Sequence, residues 1–145
     1  LMKVSNAAID LIKQHEGLSF TAYKCPAGKW TIGYGHTHRV KPSDVIDDEE
    51  AEALLHWDLN RVVDSFKDLI KVSLTQNQLD ALASLVFNIG VEHFRTSTLL
   101  KLLNEGKFYD AAEEFVKWKY ANGKVLKGLL TRRKNEQRLF VGGSK

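Results

Sequence analysis

The 145 residues are 43% hydrophobic with a formal net charge of +3, enough chain for one compact domain with a sizeable core and too little for a second independent one. No uninterrupted apolar stretch is long enough to span a bilayer, and no charged region followed by an apolar run and a cleavage site opens the chain, so stable membrane insertion is not expected. The single cysteine excludes an intrachain disulfide, which leaves packing to hold the fold and makes an oxidising compartment unnecessary for it. Leu1 ahead of Met2 is an unusual start and fits either a residue added ahead of the native chain or the trimmed end of something longer.

In chain order, Ser5 reads as a helix N-cap, and Ala7, Ala8, Ile9, Leu11 and Ile12 supply a buried face over about three turns. Gly17 is the expected stop, which puts Glu16 in the last turn beside the negative pole of the helix. That environment favours the protonated, proton-donating form of a carboxyl group. A solvated surface glutamate is the plainer reading of the same position. Phe20 to Tyr23 and Trp30 to Tyr34 have strand character around a Pro26-Ala27-Gly28 turn, which predicts a β-hairpin. With Trp30, Ile32 and Tyr34 alternating onto one face, Thr31 points to the other, beside Gly33 and Gly35. Cys25 precedes the turn, where a hairpin brings it near Thr31. A small, half-buried apolar residue is the ordinary role for such a cysteine.

Residues 37–42 read as irregular. Asp47 with Glu50 is a capping signature for a helix of about twenty residues. Thr75 with Gln78 repeats that signature ahead of an apolar helix that reads as central and ends at Gly90. Asn88 near its end reads as a C-terminal cap. A short helix from Ser97 or Thr98 to Asn104 and another from Phe108 to about Tyr120 follow, with Ala111, Ala112, Phe115 and Trp118 as a buried stripe. After a turn at Ala121 to Lys124, a final helix from Leu129 to Phe140 is expected to bury Leu129, Leu130, Leu139 and Phe140. Arg132, Arg133, Lys134 and Arg138 are expected on its other faces.

Glu16, eight residues, Cys25, five residues, Thr31 resembles the catalytic spacing of the phage-type lysozymes, the endolysins of glycoside hydrolase family 24, whose pattern is Glu, then Asp or less often Cys, then Thr. The flanking words match: His15-Glu16-Gly17, Tyr23, Trp30-Thr31-Ile32-Gly33-Tyr34-Gly35-His36. So do Phe87-Asn88-Ile89-Gly90, Asp110-Ala111-Ala112 and Gly128-Leu129-Leu130-Thr131-Arg132-Arg133-Lys134, which extends the likeness over nearly the whole chain. The resemblance implies a single α+β, lysozyme-like domain over 1–145. It would have a small hairpin lobe at approximately 18–46, a connecting helix at 48–70 and a larger, mostly helical lobe at 71–145, with the substrate cleft between the lobes. It implies Glu16, Cys25 and Thr31 as catalytic residues and Arg132, Asn88 and Tyr23 as binding or orienting ones. Arg132 is the match to an arginine that pairs with the catalytic glutamate, with Arg133 second. His36 reads as a structural histidine that bonds a carboxylate, and His15 as facing solvent.

The implied activity is that of a muramidase, hydrolysing the β-1,4 bond between N-acetylmuramic acid and N-acetylglucosamine in peptidoglycan and so lysing the host cell. The chain is expected to be a monomer that uses no metal or organic cofactor. It would be made in the host cytoplasm and reach the wall after export or membrane permeabilisation. Cysteine in place of aspartate is the departure from the commoner pattern, because a thiol with a pKa of about 8.5 is mostly neutral at pH 7. Cys25 then acts as a depressed-pKa base or nucleophile, or helps Thr31 place a water. Attack by water inverts the anomeric centre and attack by sulfur retains it, and the resemblance favours the water. Two readings compete on the same polymer: a lytic transglycosylase, and a wall-binding module silenced by the cysteine.

Between Lys117 and Lys145 there are nine Lys or Arg and one acid, Glu136. Such an end suits nucleic acid, a membrane surface or the anionic groups of a bacterial envelope, or is simply a solvated helix face. The final helix lacks the interleaved aromatics of a single-strand binder, so no specific nucleic-acid partner is expected.

Overall fold

The computed structural model describes residues 2–142. It is an α+β fold: two small antiparallel sheets and seven helices, with the helical remainder of the chain packed around one central helix.

The first helix, α1, spans Asn6–His15 and buries Ala8, Ile9, Leu11 and Ile12. Ser5 caps it as expected, its Oγ accepting from the Ala7 N–H at 3.4 Å. The same hydroxyl donates to Asp80 Oδ2, and the Ser5 N–H donates to Asp80 Oδ1 at 2.9 Å. A buried carboxylate thus meets the positive end of α1 and ties it to the centre of the fold. The helix ends differently from the expectation. Glu16 is already in extended backbone (φ −103°, ψ 143°), outside the last turn, with its N–H donating to the Ile12 carbonyl at 2.8 Å. Gly17 takes no left-handed turn, because the chain runs straight on into the first strand instead of reversing.

The hairpin pairs β1, Ser19–Lys24, with β2, Trp30–Gly33; Tyr23 faces Thr31, Lys24 faces Trp30, and a bulge interrupts the register between Ser19 and Tyr23. Its turn is closed by the Cys25 N–H to the Lys29 carbonyl at 2.9 Å and by the Gly28 N–H to the Cys25 carbonyl at 2.8 Å. The expected in-and-out alternation of β2 does not hold, since Thr31, Ile32, Gly33 and Tyr34 are all buried. Both faces of β2 are covered, and the strand ends where Ile32 and His36 exchange two 2.9 Å backbone bonds across a turn. Gly33 is required there: its φ is +66°, and a Cβ would stand 3.4 Å from Ile46 Cδ1 and 3.8 Å from Ala51. Residues 44–46 lie along the free edge of β1, through Ala22 N–H to Asp44 and Ile46 N–H to Phe20, an addition too short to leave a periodic trace in the sequence.

Helix α2, Asp48–Phe66, opens on the expected capping box, with both Asp47–Glu50 bonds formed. It buries Ala51, Leu55, Leu59, Val63 and Phe66, a stripe spaced by three and four, and each large member contributes about 1.5–3 kcal/mol by burial. Its expected last turn tightens into a 3₁₀ turn, Lys67–Leu69. Helix α3, Gln76–Ile89, carries the Thr75–Gln78 capping box and is buried continuously from Leu79 to Val86, including Asp80 and Ser84. Short helices α4 (Val91–Arg95), α5 (Thr98–Asn104) and α6 (Phe108–Glu114) follow.

Helix α6 stops at Glu114 and gives way to a 3₁₀ turn, Phe115–Lys117, not to helix as far as Tyr120. Ala111, Ala112 and Phe115 are buried, but Trp118 is half-buried, edge-on to His93 with ring centroids 5.8 Å apart. A two-residue hairpin, β3 (Tyr120–Ala121) with β4 (Lys124–Val125), leads into α7, Lys127–Phe140. Helix α7 overturns the expected distribution of its side chains. Arg132, Arg133 and Glu136 are buried with Phe140, while Leu129, Leu130 and Leu139 are only partly so. It packs on α3 through a polar seam.

Candidate active site

Glu16 stands where α1 gives way to β1, three residues before the strand that pairs with β2. Its carboxyl is held from α7: Arg132 Nη1 donates to Glu16 Oε2 at 2.7 Å. The Arg132 side chain is 5% exposed and that of Glu16 27%, so the arginine is fixed by packing and the carboxyl remains open to solvent on one side. Of the two arginines the sequence offered, Arg132 makes this contact.

Arg133 is turned the other way and has no exposure at all, although the sequence set it apart from the buried face of the final helix. It meets Glu136 one turn on: Arg133 Nη2 donates to Oε2 at 3.2 Å, and Nε stands 2.8 Å from Oε1 but out of line for a hydrogen bond. Ser84 of α3 donates its hydroxyl to the same Oε2 at 2.5 Å, and Arg132 Nε lies 3.5 Å from it. Burial pushes the Glu136 carboxyl up from the usual carboxylate range and the Arg133 guanidinium down, and the pairing of the two opposes both shifts. Glu136 therefore braces the arginine that holds Glu16. The sequence contained a signal for this: Glu136 is the lone acid in the basic run, four residues after Arg132 and three after Arg133.

Cys25 and Thr31 come together across the hairpin. The Lys29 and Ala27 N–H groups and the Thr31 hydroxyl favour the Cys25 thiolate and lower its pKa from the ordinary cysteine value, with the Lys29 amide the largest cause. Thr31 is buried, and its hydroxyl donates to the Lys29 carbonyl at 3.0 Å. That hydroxyl has one proton, so its service to the carbonyl and to the sulfur are alternatives set by rotation about the C–O bond. Tyr23, directly across from Thr31, is exposed.

Asn88 is exposed within α3 and does not cap it, since Gly90 (φ +90°) takes that position. His36 is buried and structural in its contacts, with Nδ1 2.8 and 3.0 Å from the two Asp58 carboxylate oxygens and Nε2 donating to the His38 carbonyl at 2.9 Å. Burial raises the Asp58 carboxyl, and His36 opposes the shift. His15 does not simply face solvent. Asn135 of α7 donates to its Nε2 at 3.1 Å, and burial, with Arg132 and Arg133 nearby, lowers its pKa. Among the described residues no group of three or more His, Cys, Asp or Glu is placed to hold a metal ion, and no helix is long and apolar enough to cross a membrane.

A cavity of about 680 Å³ is bounded by Lys29 and Gly35 of the hairpin, by Trp57 and Asp58 of α2, and by Phe87 and Gly90 at the end of α3; Glu16, Cys25 and Thr31 are not among the residues that line it. It lies between the hairpin and the helical part of the chain, as a polymer-binding cleft requires.

A family model described as phage lysozyme matches residues 13–136. The chain is 52% identical to the endolysin of Acyrthosiphon pisum secondary endosymbiont phage 1, over 96% of this chain and 98% of that protein. It is 48% identical to the endolysin of Bacillus phage B103 over 98% of its own length, yet spans only 55% of that relative. Among solved structures, the muramidase domain of SpmX from Asticaccaulis excentricus superimposes with a TM-score of 0.89 at 42% identity, covering 97% of this chain and 99% of that one.

Proposed function

The chain belongs to the phage lysozyme family, and we propose that it is an endolysin that hydrolyses the β-1,4 bonds between N-acetylmuramic acid and N-acetylglucosamine in peptidoglycan. The observation that carries the reading is the Glu16 carboxyl, half open at the edge of the hairpin and held by the packed Arg132 at 2.7 Å. Glycosidic cleavage needs a proton delivered to the leaving oxygen and a nucleophile at the anomeric carbon. Glu16 supplies the proton, and Arg132 fixes the direction from which it comes. Water is the nucleophile, placed by Thr31 and deprotonated by Cys25, whose pKa the Lys29 amide and its neighbours shift downward, in the direction of the thiolate. The proton passes from water to sulfur as the C–O bond breaks, and between turnovers solvent takes that proton from Cys25 and gives one to Glu16. Water attack on the face opposite the leaving oxygen inverts the anomeric centre. Tyr23 and Asn88, both exposed, serve as contacts to sugar.

We read the protein as a monomer without a nucleic-acid partner, made in the host cytoplasm and delivered to the wall by export or membrane permeabilisation. The burial of Arg132 and Arg133 supports the absence of a nucleic-acid role, because it removes two cations from the surface that suggested one.

The test is product analysis on purified peptidoglycan. Soluble muropeptides with reducing ends are expected, lost with Glu16→Gln and on thiol alkylation. Anhydro ends would identify a transglycosylase instead, and binding without release of fragments would identify a wall-binding module.

A further inference from the structure

Glu16, Arg132, Arg133 and Glu136 form one connected group of charges at the seam of α3 and α7. Arg132, Arg133 and Glu136 are buried, the last two completely, and only Glu16 opens to solvent. Their contacts run outward from the interior. Ser84 of α3 donates to Glu136 Oε2 at 2.5 Å, Arg132 Nε lies 3.5 Å from that same oxygen, and Arg132 Nη1 donates to Glu16 Oε2 at 2.7 Å. One guanidinium thus stands between two carboxyl groups, one sealed in the seam and one open to solvent.

Arg132 is otherwise thinly held. Its Nε and Nη2 are buried and make no hydrogen bond to the described residues, so the nearby charge of Glu136 is what compensates it on the inner side. That compensation bears on a proton donor. With Glu136 ionised, a protonated Glu16 leaves the group one cation in excess; with Glu136 neutral it leaves two, and the undivided charge of Arg132 draws Glu16 toward its ionised form. An ionised carboxylate has no proton to give to a leaving oxygen.

The other charges nearby do not replace Glu136. Arg132 and Arg133 are the charged groups that act on it. The buried Asp80 of α3 is committed to Ser5 and Gln76, and His15 of α1, near both arginines and Glu16, favours its neutral form. We infer that Glu136 is a positioning residue for the proposed reaction: by engaging the inner side of Arg132 it divides that cation's charge and lets Glu16 keep the proton it delivers. This rests on the muramidase reading for its consequence in catalysis, whereas the protonation of Glu16 can be read without substrate.

The experiment follows the Glu16 carboxyl of the whole protein by carbon-13 NMR, its resonance assigned by its loss in Glu16→Gln. In Glu136→Gln the midpoint of the Glu16 titration is expected to move to lower pH by about one unit, and kcat on a soluble glycan fragment to fall with KM unchanged. The midpoint decides, since a purely structural role lowers the folded fraction and leaves the midpoint where it is. Because Glu136→Gln leaves Arg133 unpaired, Arg133→Met/Glu136→Gln, which removes the buried pair together and so spares the fold, is measured beside it; a smaller shift in the same direction is expected. In an Arg132→Gln background neither change should move the midpoint. An unmoved midpoint in either variant that folds would overturn the role of Glu136, and so would an equal shift without Arg132, because Glu136 would then act on Glu16 directly. A wild-type protein that releases no reducing ends would instead remove the muramidase reading and leave the sharing of charge intact.

Discussion

At the level of single residues, three side chains carry distinct and separable demands. If Glu16 is the proton donor, Glu16→Gln keeps the hydrogen bond from Arg132 in shape but removes the proton. Activity should then fall by about 10²–10⁴-fold with little change in stability; a smaller loss would mean that the proton comes from elsewhere. Cys25 should show its lowered pKa directly. The rate of alkylation by iodoacetamide is expected to rise and level off at a lower pH than for an unstructured cysteine peptide, because the Lys29 amide and its neighbours favour the thiolate. A midpoint at or above the peptide value would deny it the role of base.

His15 makes the third demand, on stability. Its folded pKa is lowered, by burial first and by Arg132 and Arg133 next, so the fold favours neutral imidazole. The stability linked to it is complete above the unfolded value of about 6.5 and is lost as pH falls through the lower folded value. Against His15→Gln, which cannot take up a proton, the wild-type protein should lose relative stability on acidification below about pH 6.5. Parallel urea midpoints across that range would contradict this.

Between elements, the seam of α3 and α7 is where the polar residues decide most. Glu136 has no exposure and compensates the buried Arg133, so removing it leaves an unpaired buried charge. Glu136→Gln is expected to lower stability by about 3–5 kcal/mol, and Ser84→Ala by about 1–3 kcal/mol through loss of one of the two hydrogen bonds that Glu136 Oε2 accepts. Denaturant midpoints at unchanged slope would measure both. A loss under about 1 kcal/mol for Glu136→Gln would mean that water reaches the pair.

This seam is also what the sequence hid. The nearness of Cys25 and Thr31 was legible because a hairpin with a defined turn converts chain distance into spatial distance, whereas Glu16 and Arg132 were picked out by the resemblance to the phage-type lysozymes. The burial of Arg133 and Glu136 was not legible, although their spacing was, because a helix dense in cations reads as solvated unless the partner across the interface is known, and Ser84 is one hydroxyl in an apolar run. The capping boxes at Asp47 and Thr75 stood out because they are local. The end of α1 at Glu16, the covered faces of β2 and the strand-like 44–46 segment depend on what the chain meets later, which no local pattern records.

For the molecule as a whole, the question is whether the hairpin and the helices behave as one body. His36 and Asp58 join the end of β2 to α2 by bonds of 2.8 and 3.0 Å, and Asp58 also lines the cavity between the hairpin and the helices. Asp58→Ala should lower stability by about 1.5–3 kcal/mol, the scale of a hydrogen bond to a charged group. One shared transition in near- and far-ultraviolet circular dichroism is expected, whereas two separate transitions would show that the hairpin melts independently.

The account turns on water, not sulfur, attacking the anomeric carbon while Glu16 protonates the leaving oxygen. Proton NMR of the new reducing end, recorded on a soluble glycan fragment before mutarotation, tests this most directly. Cleavage of the β-1,4 bond should release the α-anomer first, with the β-anomer growing in only as the solution equilibrates. A first-formed β-anomer would mean retention, and would replace the water held by Thr31 with a covalent intermediate on Cys25.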